Sequence, residues 1–305
     1  MQNQNSNKKL NIILLILLVL ALAVPILALM QKQQNESKNQ TQLEQLNGIV
    51  ANIWMDESRL DKLKEKKIRY LFIDVGDINT NGEVTTPESE IMDFLNMIKE
   101  YQKANNYNFV LLPYSEIIIG KYILNEEFQE NLISSHNYLI KLGFNGIFLD
   151  IEKIPFAQRQ IYLSLLGKLN NNLSQSQILA VYAGGLNDEN YNNEWEWDKS
   201  FYEAVADKTD IIVVPAYDTE IEEIEPYNSH ISNQIKQINS IDAKAKFLLG
   251  IPTHKSYPET IENSMNIYKK ELNADKNSNF IGISIFAEWT IDESEWQIYK
   301  NYFPS

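Results

Sequence analysis

The stretch GFNGIFLDIEKIP, residues 143–155, sets two acids one residue apart at the end of an apolar run. Side chains alternate along a β-strand, so Phe148, Asp150 and Glu152 share one face, while the residues between them are isoleucine or leucine. The aliphatic face must pack against other elements of the fold. The opposite face therefore carries the two carboxyl groups, roughly 6–7 Å apart at a rise of about 3.3 Å per residue.

Similar runs of β-branched and aromatic residues alternate with segments of helical period along the chain. The eight candidate strands are GIVANIW (48–54), IRYLFIDV (68–75), NFVLLPY (108–114), GIFLDI (146–151), ILAVYAG (178–184), DIIVVPAY (210–217), KFLLGIP (246–252) and FIGISIF (280–286). Between them, segments such as 87–106, 126–143 and 257–273 carry apolar residues at spacings of three and four, which predicts amphipathic helices.

Near-continuous apolar strands joined by helices indicate a parallel sheet whose outer face is covered. Eight such units within residues 47–305 predict an α/β fold of the (β/α)8 TIM barrel type. A doubly wound open sheet is the alternative. No Gly-x-Gly-x-x-Gly follows any of the strands, so that alternative lacks a nucleotide-binding motif.

The amino-terminal segment predicts export. Residues 1–9 form a short tail with two lysines, and residues 10–30 contain an uncharged run from 12 to 30 that is about long enough to cross a bilayer. We expect a transmembrane anchor with the lysines in the cytoplasm and the carboxyl-terminal domain outside. A cleaved signal peptide, which would leave the protein secreted, is the alternative. Residues 31–46 are polar and predict a solvated spacer.

Composition excludes several functions. The net charge of −14 and pI near 4.8 argue against a nucleic-acid partner, which needs clustered lysine and arginine. Cysteine is absent, which removes disulfides, thiolate catalysis and zinc–thiolate sites. His136, His230 and His254 match no metal-ligand spacing, and we expect surface or hydrogen-bonded histidines. The sequence predicts neither a metal nor a cofactor.

In barrels of this type the catalytic and binding residues lie at the carboxyl ends of the strands. In this sequence, the predicted strand ends are rich in acidic and aromatic residues. Aromatic rings stack on sugar faces and carboxylates bind hydroxyls, so we expect an oligosaccharide or polysaccharide substrate. The candidate substrate-binding residues are Trp54, Asp74, Tyr114, Glu116, Tyr182, Asp218, Glu288 and Trp289.

Asp150 and Glu152 are the candidate reaction centre. Two close carboxylates in a partly desolvated mouth repel each other's charge, so one holds its proton to higher pH and can act as a general acid. The alternative is that the two acids cap the strand or pair with a lysine such as Lys153.

The order of these motifs resembles that of the family 18 glycoside hydrolases, the chitinase family, from about residue 48 to residue 289. The family's fourth strand reads Asp-Gly-x-Asp-x-Asp-x-Glu, and NGIFLDIE, residues 145–152, is similar. Its last two acids match Asp150 and Glu152. IRYLFIDVGDINTNGEV, residues 68–84, resembles the second strand and its turn, FLLGIPTH the seventh strand, and VVPAYD the end of the sixth.

The resemblance implies a retaining, substrate-assisted mechanism. By resemblance, Glu152 would protonate the glycosidic oxygen, Asp150 would orient the substrate's 2-acetamido group, and Tyr217 would steady the carbonyl of that group. Phe286 stands where the family has a tryptophan under the substrate, and Trp289 follows three residues later. We therefore expect a membrane-anchored glycosidase acting on peptidoglycan, a chitin-like polymer or a surface polysaccharide.

The sequence departs from the family signature at two positions, where Asn145 and Phe148 replace acids. The carboxylate that normally shares a proton with Asp150 is missing, so another group, such as Tyr217 or Asp218, must tune it.

Three questions stay open. A glycosidase could instead use a second carboxylate, Glu288 or Asp218, for direct displacement. The barrel could also be an inactive, lectin-like glycan-binding protein. In NNEWEWDKSFYE, the residues Trp195 and Trp197 could form a substrate-binding rim or pack beneath the following helix.

Overall fold

The computed structural model describes residues 47–117, 125–151, 153–187, 196–253, 256–274 and 278–303. The predicted tail, anchor or signal segment and spacer, residues 1–46, lie outside these ranges, and so does Glu152. Within the described ranges no helix is both long enough and apolar enough to cross a membrane.

The sheet is a closed barrel of eight parallel strands in chain order, in which β8 pairs with β1. This architecture confirms the predicted (β/α)8 barrel and excludes the open sheet. The strands are β1 Gly48–Asn52, β2 Tyr70–Asp74, β3 Val110–Glu116, β4 Gly146–Asp150, β5 Ile178–Tyr182, β6 Ile211–Pro215, β7 Lys246–Pro252 and β8 Phe280–Phe286.

In the described part of the chain, a helix follows each strand. These helices are α1 Glu57–Glu65, α2 Glu88–Asn105, α3 Glu126–Leu142, α4 Arg159–Asn172, α5 Lys199–Ala206, α6 Ile224–Asn239, α7 Ile261–Ala274 and α8 Glu293–Tyr302. A short 3-10 helix, Phe156–Gln158, precedes α4.

Capping side chains begin several of the helices. Asp56, Asn125, Asp198 and Asp292 each accept a backbone N–H from the first turn of the helix that follows. Each of these caps contributes about 1 kcal/mol, because the first N–H groups of a helix have no partner within it.

The alternation predicted for β4 is present. Ile147 and Leu149 are fully buried in the apolar layer between the barrel and the helices. Phe148 is equally buried but faces the lumen, where its ring centroid lies 4.3 Å from that of Phe72 and 5.5 Å from that of Tyr182. The same alternation places Asp150 in the lumen at the carboxyl end of its strand.

Gly146 lets β4 approach β5 closely. A Cβ atom at this position would lie only 2.0 Å from the carbonyl oxygen of Ile178. The glycine of the strand-four motif is therefore required by the barrel wall rather than by the chemistry.

Candidate active site

Asp150 lies at the carboxyl end of β4, where neighbouring strands bring other predicted residues to the same level. Glu116 of β3 and Tyr182 of β5 pair in register with Asp150. Asp150 is 7% exposed, and its Oδ2 accepts a hydrogen bond from the hydroxyl of Tyr114. Buried carboxylates at the carboxyl ends of barrel strands are typical of functional sites, which makes Asp150 a candidate.

Burial raises the pKa of Asp150 to about 7, and the charge of Glu116 acts in the same direction. The hydrogen bond from Tyr114 partly offsets this by stabilising the ionised form. We predicted that one acid of the pair would hold its proton to higher pH. Among the described groups that act on Asp150, burial has the largest effect on its pKa, and repulsion from the Glu116 carboxylate adds to it.

Phe148 lies beneath Asp150 in the lumen, on the same face of β4. Its ring contacts those of Phe72, Tyr114 and Tyr182, at centroid distances of 4.3, 5.6 and 5.5 Å. An acid at position 148 would place a second charge below Asp150. The phenylalanine supplies an apolar surface instead, and this surface contributes to the desolvation of Asp150.

Asn145, the other departure from the family signature, lies at the opposite end of β4. Its side-chain oxygen accepts the backbone N–H of Leu111 at 2.8 Å, and its own backbone N–H donates to the carbonyl of Leu111 at 2.8 Å. The position therefore serves strand pairing, which needs only a side-chain acceptor, and asparagine meets that need as well as aspartate does.

Tyr182 and Tyr217 form a second polar pair beside Asp150. The hydroxyl of Tyr217 donates to that of Tyr182, and both side chains are buried. The ring of Tyr217 stacks on Phe286 at 5.5 Å with an interplanar angle of 25°. A Cβ atom at Gly250 would lie 3.2 Å from the Tyr182 hydroxyl and 3.3 Å from the Tyr217 ring, so glycine leaves room for both.

Trp289 extends this aromatic cluster outward. Its ring lies 6.1 Å from Phe286 in an edge-on arrangement, and the side chain is 45% exposed. A wall of buried rings that ends in an exposed indole is suited to stacking against sugar faces. The predicted residues Tyr182, Tyr217, Phe286 and Trp289 are thus brought together.

An acidic rim lies on the other side of Asp150. Burial raises the pKa of Glu116, and the charges of Asp77 and Asp74 raise it further. Asp74 accepts the backbone N–H of Gly76 at 2.9 Å. The predicted residues Asp74 and Glu116 therefore lie near each other at the strand ends, and Glu116 pairs in register with Asp150.

A cavity of about 740 Å³ opens beside Tyr217. Its lining includes Asp218, as predicted, and also Glu196, Glu220 and Glu259, which the sequence analysis did not single out. The volume is that of a small-molecule or oligosaccharide subsite. Carboxylates lining it can accept hydrogen bonds from hydroxyl or amino groups.

Glu259 holds the loop after β6 in place. Its two oxygens accept the backbone N–H groups of Asp218 and Thr219 at 2.9 and 2.7 Å. Asp218 has a left-handed backbone, with φ of 57°. No sequence signal pointed to Glu259, because it belongs to an irregular segment before α7.

Glu196 is directed into the cavity, and its Oε2 has no hydrogen-bond partner among the described residues. Burial and the charge of Glu220 raise the pKa of Glu196 to about 7. Trp197, its neighbour, is fully buried against Tyr162 and Phe201, which confirms the interior role for this tryptophan. Alternation around a buried Trp197 is the signal that could have identified Glu196.

Two predicted residues lie apart from Asp150. Trp54 is 69% exposed and donates its indole N–H to Glu90 at 3.0 Å. Both carboxylate oxygens of Glu288 accept hydrogen bonds from Nη1 of Arg59, at 2.6 and 2.7 Å. The backbone N–H of Glu288 donates to the carbonyl oxygen of Val50. Glu288 therefore joins the end of β8 to β1 and α1.

Several predictions fall on residues outside the described ranges, namely Glu152, Trp195 and His254. Of the other histidines, His136 is buried and hydrogen-bonded, as expected. Among the described residues, no group of three or more His, Asp or Glu side chains could hold a metal ion.

No model of a known protein family matches the sequence, and no curated protein matches it. Solved structures do share its fold. The spore cortex-lytic enzyme SleL of Bacillus megaterium matches with a TM-score of 0.61 at 13% identity, covering 85% of this chain and 74% of that one. A GH18 chitinase from Cycas revoluta, solved with (GlcNAc)3, matches with 0.59 at 12% identity, covering 84% and 99%.

The same fold occurs in the chitinase-like agglutinin RobpsCRA of Robinia pseudoacacia, with a TM-score of 0.56 at 12% identity and coverage of 84% and 99%. These similarities confirm that the chain has the barrel fold of the family it resembles. At such low identity they concern the fold alone.

Proposed function

We propose that this chain is an extracytoplasmic glycosidase of the family 18 type that cleaves a glycan containing N-acetylhexosamine. The observation that carries the proposal is the buried Asp150 at the carboxyl end of β4, beside the paired hydroxyls of Tyr182 and Tyr217. A sugar with a 2-acetamido group offers both an N–H donor for the carboxylate and a carbonyl acceptor for a phenol.

In the proposed reaction, Glu152 protonates the glycosidic oxygen as the bond to the anomeric carbon breaks. The acetamido carbonyl oxygen attacks that carbon, and Asp150 stabilises the positive charge that develops on the amide nitrogen. Tyr217 exchanges its bond to Tyr182 for one to the acetamido oxygen. Water, deprotonated by Glu152, then opens the cyclic intermediate with net retention, and no separate enzyme nucleophile is needed.

The aromatic cluster and the cavity support a chain-like substrate. Phe286 and the exposed Trp289 offer ring faces for sugar stacking. The cavity beside Tyr217 offers carboxylate acceptors for a neighbouring sugar. Peptidoglycan, a chitin-like polymer and other N-acetylated surface polysaccharides all meet these requirements.

Residues 10–30 would anchor the barrel at the outer side of the cell membrane, or would be removed to release it. Fractionation of cells expressing the full chain, with protease added to intact cells, separates these cases. A barrel that stayed protected from external protease would contradict export.

Hydrolysis of chitooligosaccharides and peptidoglycan by the full chain tests the proposal. Glu152→Gln and Asp150→Asn should each lower kcat by about 10²–10⁴-fold, the usual contribution of acid–base groups. Glu130→Gln, an exposed change on α3, is the matched control and should retain full activity. Undiminished turnover by Glu152→Gln would refute the assignment of the acid. Inhibition by a thiazoline analogue of N-acetylglucosamine would support the substrate-assisted route.

Direct displacement by Glu288 or Asp218 is a variant within the enzyme class. The ion pair of Glu288 with Arg59 speaks against that residue, because a nucleophile must first leave its partner. Glu288→Gln should therefore cost far less activity than Glu152→Gln. An equal loss in Glu288→Gln or in Asp218→Asn would favour displacement.

Phe148 favours a second candidate function, a glycan-binding barrel without turnover, because this position lacks the acid of the family signature. Such a barrel would bind N-acetylated oligosaccharides and release no reducing ends from any of them. The same binding and hydrolysis assays separate the two functions.

A further inference from the structure

Asp150 depends on a neighbour that the family signature does not contain. Position 148, two residues earlier on the same strand face, carries phenylalanine, so this position supplies no acid to the Asp150 carboxyl group. Among the described residues, Tyr114 alone donates a hydrogen bond to the Asp150 carboxyl group. The tyrosine belongs to β3, and its backbone pairs in register with Phe148.

We propose that Tyr114 is a positioning residue for Asp150, holding its carboxylate ionised and correctly oriented in place of the acid that position 148 lacks. This inference rests on the proposed function, and it assigns Tyr114 a different role from the direct substrate contact predicted from its place at a strand end.

The surroundings of Tyr114 suit a fixed donor. The side chain is 6% exposed, and its ring lies 5.6 Å from that of Phe148. Burial raises the pKa of Tyr114 far above its ordinary value, and the charge of Asp150 raises it further. The hydroxyl therefore keeps its proton throughout the working pH range and can only donate to the carboxylate.

The hydrogen bond also orients the carboxylate. Tyr114 occupies Oδ2, and no described residue donates to Oδ1. Oδ1 is then the oxygen that can accept the N–H of a substrate acetamido group. A hydrogen-bond donor stabilises the ionised form of a carboxyl group. Asp150 therefore stays ionised at a lower pH than its burial alone would allow.

Tyr114→Phe tests the proposal, with Tyr70→Phe as the matched control. Tyr70 is another buried lumen tyrosine, 2% exposed and stacked 6.2 Å from Phe72, and it makes no contact with Asp150. The direct measurement is a carbon-13 NMR titration of the Asp150 carboxyl carbon, assigned by comparison with Asp150→Asn. This readout needs no substrate.

We expect Tyr114→Phe to move the Asp150 titration midpoint upward by roughly one to two pH units, the size of a hydrogen bond to a charged group. Tyr70→Phe should leave it in place. In the hydrolysis assay, the acidic limb of kcat/KM should move with the NMR midpoint, and kcat at neutral pH should fall while KM changes little.

An unmoved NMR midpoint in Tyr114→Phe would overturn the proposal. A raised KM in Tyr114→Phe, together with an acidic limb of kcat/KM that does not move, would also overturn it, because that pattern indicates direct substrate binding by Tyr114. If the midpoint moves but the wild type cleaves none of the glycans, the Tyr114–Asp150 coupling stands and only the proposed function fails.

A second variant guards against a folding defect in Tyr114→Phe. Difluorotyrosine, introduced at position 114 by codon suppression, keeps the shape of the ring but is a stronger donor. It should move the Asp150 midpoint downward, opposite to the effect of phenylalanine. A shift in the same direction for both variants would refute the hydrogen-bond explanation.

Discussion

Replacing Asp150 with asparagine should stabilise the barrel at pH 8, leave its stability nearly unchanged at pH 4, and lower kcat by about 10²–10⁴-fold. The pKa of Asp150 is about 7 in the folded protein, against an ordinary value of 3.8. Between these values the folded state holds a proton that the unfolded state has released. The contribution of Asp150 to stability therefore falls as pH rises from about 4 to about 7, because burial disfavours the charged form.

The magnitude follows from the width of that window. About three pH units, at 1.36 kcal/mol per unit, give a cost of about 4 kcal/mol at pH 8 as an upper limit. Asparagine is nearly isosteric, carries no charge and can still accept the Tyr114 hydroxyl. Asp150→Asn should therefore raise the free energy of unfolding at pH 8 by most of this amount. Each kcal/mol gained raises Tm by roughly 2–4 °C.

Urea unfolding followed by tryptophan fluorescence at pH 4, 6 and 8 measures the effect as a difference between variant and wild type. Asp242→Asn, which removes an exposed carboxyl group in the loop before β7, is the control for the same chemical change at the surface. A difference for Asp150→Asn that is independent of pH would refute the reasoning that burial of this carboxyl group is costly.

Two further predictions concern buried groups away from the site. In the part of the chain that the structure describes, the hydroxyl of Tyr162 has no hydrogen-bond partner, whereas that of Tyr227 bonds the carbonyl of Ala216 and the hydroxyl of Ser264, each at 2.7 Å. In thermal unfolding, Tyr162→Phe should leave the free energy of unfolding unchanged or raise it by about 1 kcal/mol. Tyr227→Phe should lower it by about 1–3 kcal/mol, because it breaks two buried hydrogen bonds. Equal losses in the two variants would contradict this explanation. Burial lowers the pKa of His136 from 6.5 to about 4, so stability is lost as pH falls through this window, by up to about 3 kcal/mol. His136→Gln should remove that acid-side loss in urea unfolding at pH 4 and 7, and a variant with the wild-type slope would show that another group causes it.

The effects of Asp150 and His136 oppose each other over nearly the same pH range. As pH rises from 4 to 6.5, the Asp150 contribution falls and the His136 contribution grows. These two contributions partly cancel in this range, to which the raised pKa of Glu196 adds a further loss of stability as pH rises. Each substitution should then uncover the slope that the other residue causes.

The barrel was predictable because its signals are local. Strand and helix periods are properties of short segments, and β7 and β8 coincide with the predicted runs 246–252 and 280–286. The predicted run 48–54 was too long, since β1 ends at Asn52 and the chain then turns. Asn52 accepts the backbone N–H of Trp54 at 2.7 Å in that turn.

The candidate site was only partly predictable. Alternation along β4 placed Asp150 in the lumen, and position at strand ends identified Tyr182 and Tyr217. We predicted that Tyr217 or Asp218 tunes Asp150, whereas in the structure Tyr114 makes this contact.

By itself the sequence determined the order of strands and helices and the face of each strand that meets the lumen, because backbone geometry repeats every two or every 3.6 residues. Only the tertiary structure decided which side chains from different strands meet, such as Tyr114 with Asp150 and Arg59 with Glu288. Parallel strands are joined through a helix, so their relative register depends on how the whole barrel closes and is not written in either strand alone.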